Sequence, residues 1–157
     1  MKTEFIKQYA HTWRIFERVV KAFDQDAWIH AGYGTTTPAR LAFHILQGVK
    51  YYIEDASTMI FASGKSFANN WETATEAELP SQNDILDSMD ELKGKTEAWL
   101  STMDFAAENK SFTWAGKTKL GVVLFLLRHT LYHIGELSSL LNESKKGETA
   151  DNWVNTL

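Results

Sequence analysis

The sequence predicts an all-α fold: one four-helix bundle with long connections between the second and third helices and between the third and fourth. Three observations carry this. Four stretches, each about 20 residues or more, repeat apolar side chains at three- and four-residue spacing. No stretch shows the apolar–polar alternation of a half-buried strand. Helix-breaking residues are sparse, with 2 Pro and 9 Gly in 157 residues.

The first helix is expected from Thr3 to Phe23, with Thr3 as its N-cap. Tyr9, Trp13, Phe16, Val20 and Phe23 share one side. Residues 24–36 break the pattern with Gly32 and Gly34. The second helix is expected from Pro38 to Phe61. Thr37 is its N-cap, Pro38 takes the first helical position, and Gly64 ends it. Leu41, Ile45, Tyr52, Ala56 and Met59 form its stripe. Residues 65–80 have no period and read as a covering segment anchored by Trp71.

The third helix is expected from Gln82 to Met103, capped by Ser81 with Asp84 three residues on. Its stripe is Ile85, Met89, Leu92, Thr96, Trp99 and Met103. Residues 104–117 form a second irregular connection, with Phe112-Thr113-Trp114 read as extended. The fourth helix runs from Thr118 to Glu143, and a tail at 144–157 returns Trp153 to the body. The length suits a single domain at 1–157 with its core at about 3–143.

Composition narrows the function. Cysteine is absent, which excludes disulfides, Cys-ligated zinc, iron–sulfur clusters and a thiol nucleophile from this chain. The net charge of −4 argues against a dedicated nucleic-acid or anionic-membrane surface. The richest apolar stretch, Leu120 to Leu127, is too short to span a bilayer. The first residues, Met1 to Phe5, lack the apolar block of a signal peptide. A cytoplasmic protein without membrane or nucleic-acid partners is expected.

The histidines point to chemistry. His129 and His133 are four residues apart on the fourth helix, so they project from the same side one turn apart. They interrupt an inward row of Val122, Phe125, Leu126, Glu136 and Leu140. His44 flanks the apolar stripe of the second helix, on the edge it shares with Gly48 and Asp55. A glycine inside a helix costs about 0.8–1 kcal/mol relative to Ala, so Gly48 implies room for a ligand or a close contact. His44, His129 and His133 are therefore candidate metal ligands, with His11 and His30 outside the set. The plain alternative is histidines hydrogen-bonded within a core, since an i,i+4 His pair also arises by chance. Glu136 is a candidate base or orienting carboxylate beside the metal. Tyr9, Trp13, Gly48, Tyr52 and Asp55 are candidates for lining a substrate pocket.

Three neutral imidazoles suit one divalent transition metal per chain, Zn²⁺, Ni²⁺ or Fe²⁺, better than Mg²⁺ or Ca²⁺. Three protein ligands leave a position open for water or a small-molecule substrate.

The segment Arg128-His129-Thr130-Leu131-Tyr132-His133-Ile134-Gly135-Glu136 resembles the last-helix motif of the DinB-like superfamily of metal-binding bundles, H-x-x-x-H-x-G followed by a polar residue. Pro38 to His44 resembles that family's second-helix start, and the likeness covers about residues 3–143. It implies that His44, His129 and His133 carry the family's metal triad, with Glu136 where many relatives have Gln. It also implies a metal-dependent hydrolase or a thiol S-transferase using a low-molecular-weight thiol cosubstrate. A non-catalytic metal- or ligand-binding stress protein is the alternative. The apolar breadth of the fourth helix, with the resemblance, suggests a homodimer.

Overall fold

A computed structural model describes residues 1–55 and 58–145. The described chain is helical, with four substantial helices and one short one, as the spacing predicts. They are α1 (Lys2–Ala22), α2 (Gln25–His30), α3 (Pro38–Glu54), α4 (Gln82–Thr102) and α5 (Lys119–Ser144). The four long helices close into a ring. α1 packs on α4 and α5, and α3 packs on the same two. α1 and α3 are therefore diagonal, and only α3 and α5 supply the histidine cluster.

Local chemistry explains most boundaries. Pro38 opens α3 behind Thr37, whose hydroxyl makes no capping bond. Ser81 and Asp84 form the reciprocal capping box of α4. Thr118 stands at the start of α5. Phe16, Phe43, Leu92, Leu126 and Ile134 fill the centre with no exposure. Tyr9 donates its hydroxyl to the Val123 carbonyl at 2.8 Å, which ties α1 to α5.

Four expectations need correction. Met1, not Thr3, caps α1, and Thr3 lies inside the helix. α3 ends at Glu54 rather than Phe61, because Asp55 turns left-handed at φ 52°. Beyond it the chain makes a tight turn at 58–67. Phe67 donates to the Met59 carbonyl, and Gly64 sits at φ 83°. Met59 and Phe61 are buried from that turn, not from a helix. α2 was missing from the periodic pattern; Asp24 caps it and Trp28 anchors it by donating to the Pro80 carbonyl at 3.0 Å. Residues 113–115 form a 3₁₀ turn instead of extended chain. Ala56 and Trp153 lie outside the described residues.

No helix among the described residues is long and apolar enough to cross a membrane.

Candidate metal centre

The cluster grows from two helices that pack face to face. His44 lies near the middle of α3, and His129 and His133 lie one turn apart on α5. All three are half-buried, and each offers one nitrogen within 4.8 Å of the others. They form a group that could hold a metal ion. The His44 and His133 rings stand edge to face with centroids 4.5 Å apart, and His129 meets His133 at the same distance.

The tightest pair is His44 Nε2 to His133 Nε2, at 3.2 Å. Two nitrogens on one tetrahedral ion at about 2.0–2.1 Å would stand about 3.3 Å apart. The same spacing without an ion is an N–H···N hydrogen bond between neutral rings, so the distance serves both states. His44 Nδ1 and His129 Nδ1 are buried with no hydrogen-bond partner among the described residues. A neutral imidazole has one lone pair, so an ion held through His44 Nε2 would leave the His44 Nδ1–H still unpaired.

His133 is oriented from behind. Its Nδ1–H donates to Glu136 Oε2 at 2.7 Å, one turn further along α5. That bond fixes the tautomer and leaves the lone pair on Nε2, facing His44. Glu136 thus holds the His133 ring rather than lining the cleft. Of the two roles the sequence left open for Glu136, base or orienting carboxylate, this geometry matches the orienting one.

Gly48 has its reason here. A Cβ built on it would lie 3.1 Å from His129 Cε1, so the missing side chain makes room for that ring.

Burial favours the neutral form of His44 and of His129. It lowers the His44 pKa to about 4, with further depression from the His133 and His129 rings. Burial lowers His129 to about 4 as well, with His133 adding to the shift and Glu136 opposing it. The unfolded chain titrates these rings near 6.5, so it binds more protons than the folded chain from there down to about 4. The metal-free protein should therefore keep full stability above pH 6.5 and lose it as pH falls toward 4. The expected loss is about 1–2 kcal/mol for each ring after discounting partial exposure. Urea unfolding at pH 7 and pH 4.5 measures it. The double variant His44→Gln/His129→Gln should show a clearly shallower slope, and an unchanged slope would remove these rings as the cause.

One flank of the triad is covered. The Trp71 ring lies against His44 with centroids 4.6 Å apart. Arg40 holds that loop by donating to the carbonyls of Trp71 and Ala74 at 2.7 and 2.6 Å. The other flank opens into a cleft of about 370 Å³, lined by His44, Gln47, Gly48, Tyr51, Tyr52, Asn69 and His129. A larger cleft of about 470 Å³ lies beyond Tyr52, at the end of the bundle, and contains no histidine.

The pocket candidates separate accordingly. Gly48 and Tyr52 border the histidine cleft. Asp55 borders the neighbouring one. Tyr9 and Trp13 are core residues with 2% exposure on α1, and neither borders the histidine cleft. Gln47, Tyr51 and Asn69 were missed, and Trp71, expected as the anchor of the covering segment, lies against His44. Gln47 and Tyr51 lie near His44 in sequence, but Asn69 and Trp71 reach it only through the fold of the 58–80 segment.

No family model matches the chain, and no curated protein or solved structure matches it.

Proposed function

We propose that this chain is a metal-dependent enzyme in which His44, His129 and His133 hold one Zn²⁺, Ni²⁺ or Fe²⁺ ion. The observation that carries the proposal is the convergence of three half-buried imidazoles beside an open cleft. The bound ion would supply Lewis acidity, lowering the pKa of water toward about 7 or stabilising the thiolate of a small thiol cosubstrate. The chain's own residues do the rest. Glu136 sets the His133 tautomer. Trp71 shields His44 on one side. Gly48 leaves the His129 ring its place. Because the chain has no cysteine, a thiol nucleophile would come from a cosubstrate.

The resemblance to the DinB-like superfamily supports this reading, and membership in it is part of the proposal. The open flank favours a substrate-taking site over a closed storage site, whose ion would be wrapped by side chains on every side. Dimerisation is also proposed. Leu124, half-exposed on α5, and the exposed Trp114 border an apolar groove that a second copy would cover.

Cobalt substitution tests the open position. Azide or 2-mercaptoethanol added to the Co²⁺-loaded protein should shift the visible bands, and the thiol should add a sulfur-to-metal charge-transfer band. A spectrum indifferent to both would mean a closed coordination shell and would end the catalytic proposal.

A further inference from the structure

Resting on the metal-site reading, we infer that the open cleft beside the triad takes a neutral, planar aromatic group. The first observation is charge. Among the described residues, no Asp, Glu, Lys or Arg lines this cleft, whereas the neighbouring one is bordered by Glu54, Asp55, Glu108, Lys110 and Lys119. A ligand whose far end is ionised would find no counter-charge in the histidine cleft.

The second observation is aromatic. Tyr51 and Tyr52 border the cleft with His44 and His129, and behind Tyr52 and His129 a run of rings reaches the surface along the neighbouring clefts. Trp114 meets Phe112 at 5.7 Å, Phe112 meets Tyr52 at 4.8 Å, and Tyr52 meets Phe125 at 5.3 Å between centroids. Phe125 then stacks on His129 at 5.8 Å, only 19° from parallel. Tyr52 is fixed in this run, since its hydroxyl accepts from Trp114 Nε1 at 3.1 Å. A planar ligand would meet a preformed aromatic surface at little cost in ordering.

The third observation is the kind of polar group on offer. The Tyr52 hydroxyl accepts from Trp114 and keeps its own proton to donate. The Tyr51 hydroxyl has no hydrogen-bond partner among the described residues. Gln47 donates to the Asn69 carbonyl and leaves its own carbonyl oxygen as an acceptor. These are neutral donors and acceptors, suited to an amide, phenol or carbonyl on the ring.

Three matched probes decide it: benzohydroxamate, acetohydroxamate and benzohydroxamate bearing a para-carboxylate. Each is titrated into the metal-free and the Co²⁺-loaded protein. Binding is followed by the Trp114 indole N–H resonance and, in the loaded protein, by the cobalt bands. In both forms benzohydroxamate should bind at least tenfold tighter than acetohydroxamate, and the para-carboxylate should weaken it at least threefold. Tyr52→Leu should cut the aromatic preference below threefold while cobalt uptake stays intact; Tyr51→Leu serves if that variant fails to fold. Equal binding of all three probes, or tighter binding of the charged one, overturns the inference. The metal reading fails separately. A protein that takes up no cobalt yet prefers benzohydroxamate loses its metal site and keeps its aromatic cleft. A protein that loads cobalt without the preference does the reverse.

Discussion

His133→Ala should lower metal affinity by at least about 10³-fold, more than the roughly 10–100-fold typical of losing an outer partner. His133 is the hinge of the cluster. Its Nε2 stands 3.2 Å from His44 Nε2, its ring meets His129, and its Nδ1 is held by Glu136. Removing it leaves His44 and His129, whose centroids lie 5.2 Å apart, as a weaker pair. Two milder substitutions should fall in between. Glu136→Gln keeps an acceptor for Nδ1–H but removes the charge, and should lose about tenfold. Gly48→Ala pushes a methyl to 3.1 Å from His129 Cε1, so the ring must yield by a few tenths of an ångström. Its metal affinity should drop several-fold, while the helix gains up to about 0.8–1 kcal/mol of propensity. His30→Ala is the control, since His30 is exposed and pairs with Asp26 far from the cluster. Calorimetric titration with Zn²⁺ against a competing chelator gives all four values. Unchanged affinity in His133→Ala would dismantle the site.

Glu54→Ala should destabilise the protein by about 2–4 kcal/mol, a large share of a typical domain's stability. Lys50 is 4% exposed, and its ammonium hydrogen-bonds Glu54 while lying 5.4 Å from the centroid of Phe61. Lys95 joins Glu54 to Glu91 at 2.5 and 2.7 Å, and Glu91 accepts from the Ala62 N–H. The network fastens the end of α3 and the 58–67 turn to α4. Removing Glu54 strands a buried cation. A fully buried pair would cost about 3–5 kcal/mol to break, and the partial exposure of Glu54 lowers that. Urea unfolding measures the loss. The double variant Lys50→Met/Glu54→Met should regain much of it, because both charges leave together. A loss below about 1 kcal/mol for Glu54→Ala would show that the cation finds water instead.

The same network explains where sequence reasoning stopped short. Periodicity located the long helices, because Trp13, Phe16, Ile85 and Leu92 recur at core spacing and Ser81–Asp84 marks a start. It also carried α3 too far. Ala56 and Met59 keep the spacing, and no glycine or proline marks the stop at Asp55, a residue type that tolerates the left-handed region. α2 was lost because six residues hold less than two turns of period. The candidate ligands followed from helix geometry alone. His129 and His133 must share a side, and His44 lies on the edge of an inward stripe. Their surroundings had no local signal. Trp71 and Asn69 come to the cluster through Arg40, Gln47 and the turn after α3, all of which depend on long-range contacts. Tyr9 and Trp13 carried an aromatic signal that is equally that of a core, and α1 lies diagonal to α3 in the ring of helices.

The most direct test is the metal content of protein purified without contact with nickel resin, wild type beside His129→Ala. The expected result is about one divalent transition-metal ion per chain in the wild type and none in the variant. Wild-type protein that holds no metal, and whose melting temperature does not rise when Zn²⁺, Ni²⁺ or Fe²⁺ is added, would contradict the three-histidine site.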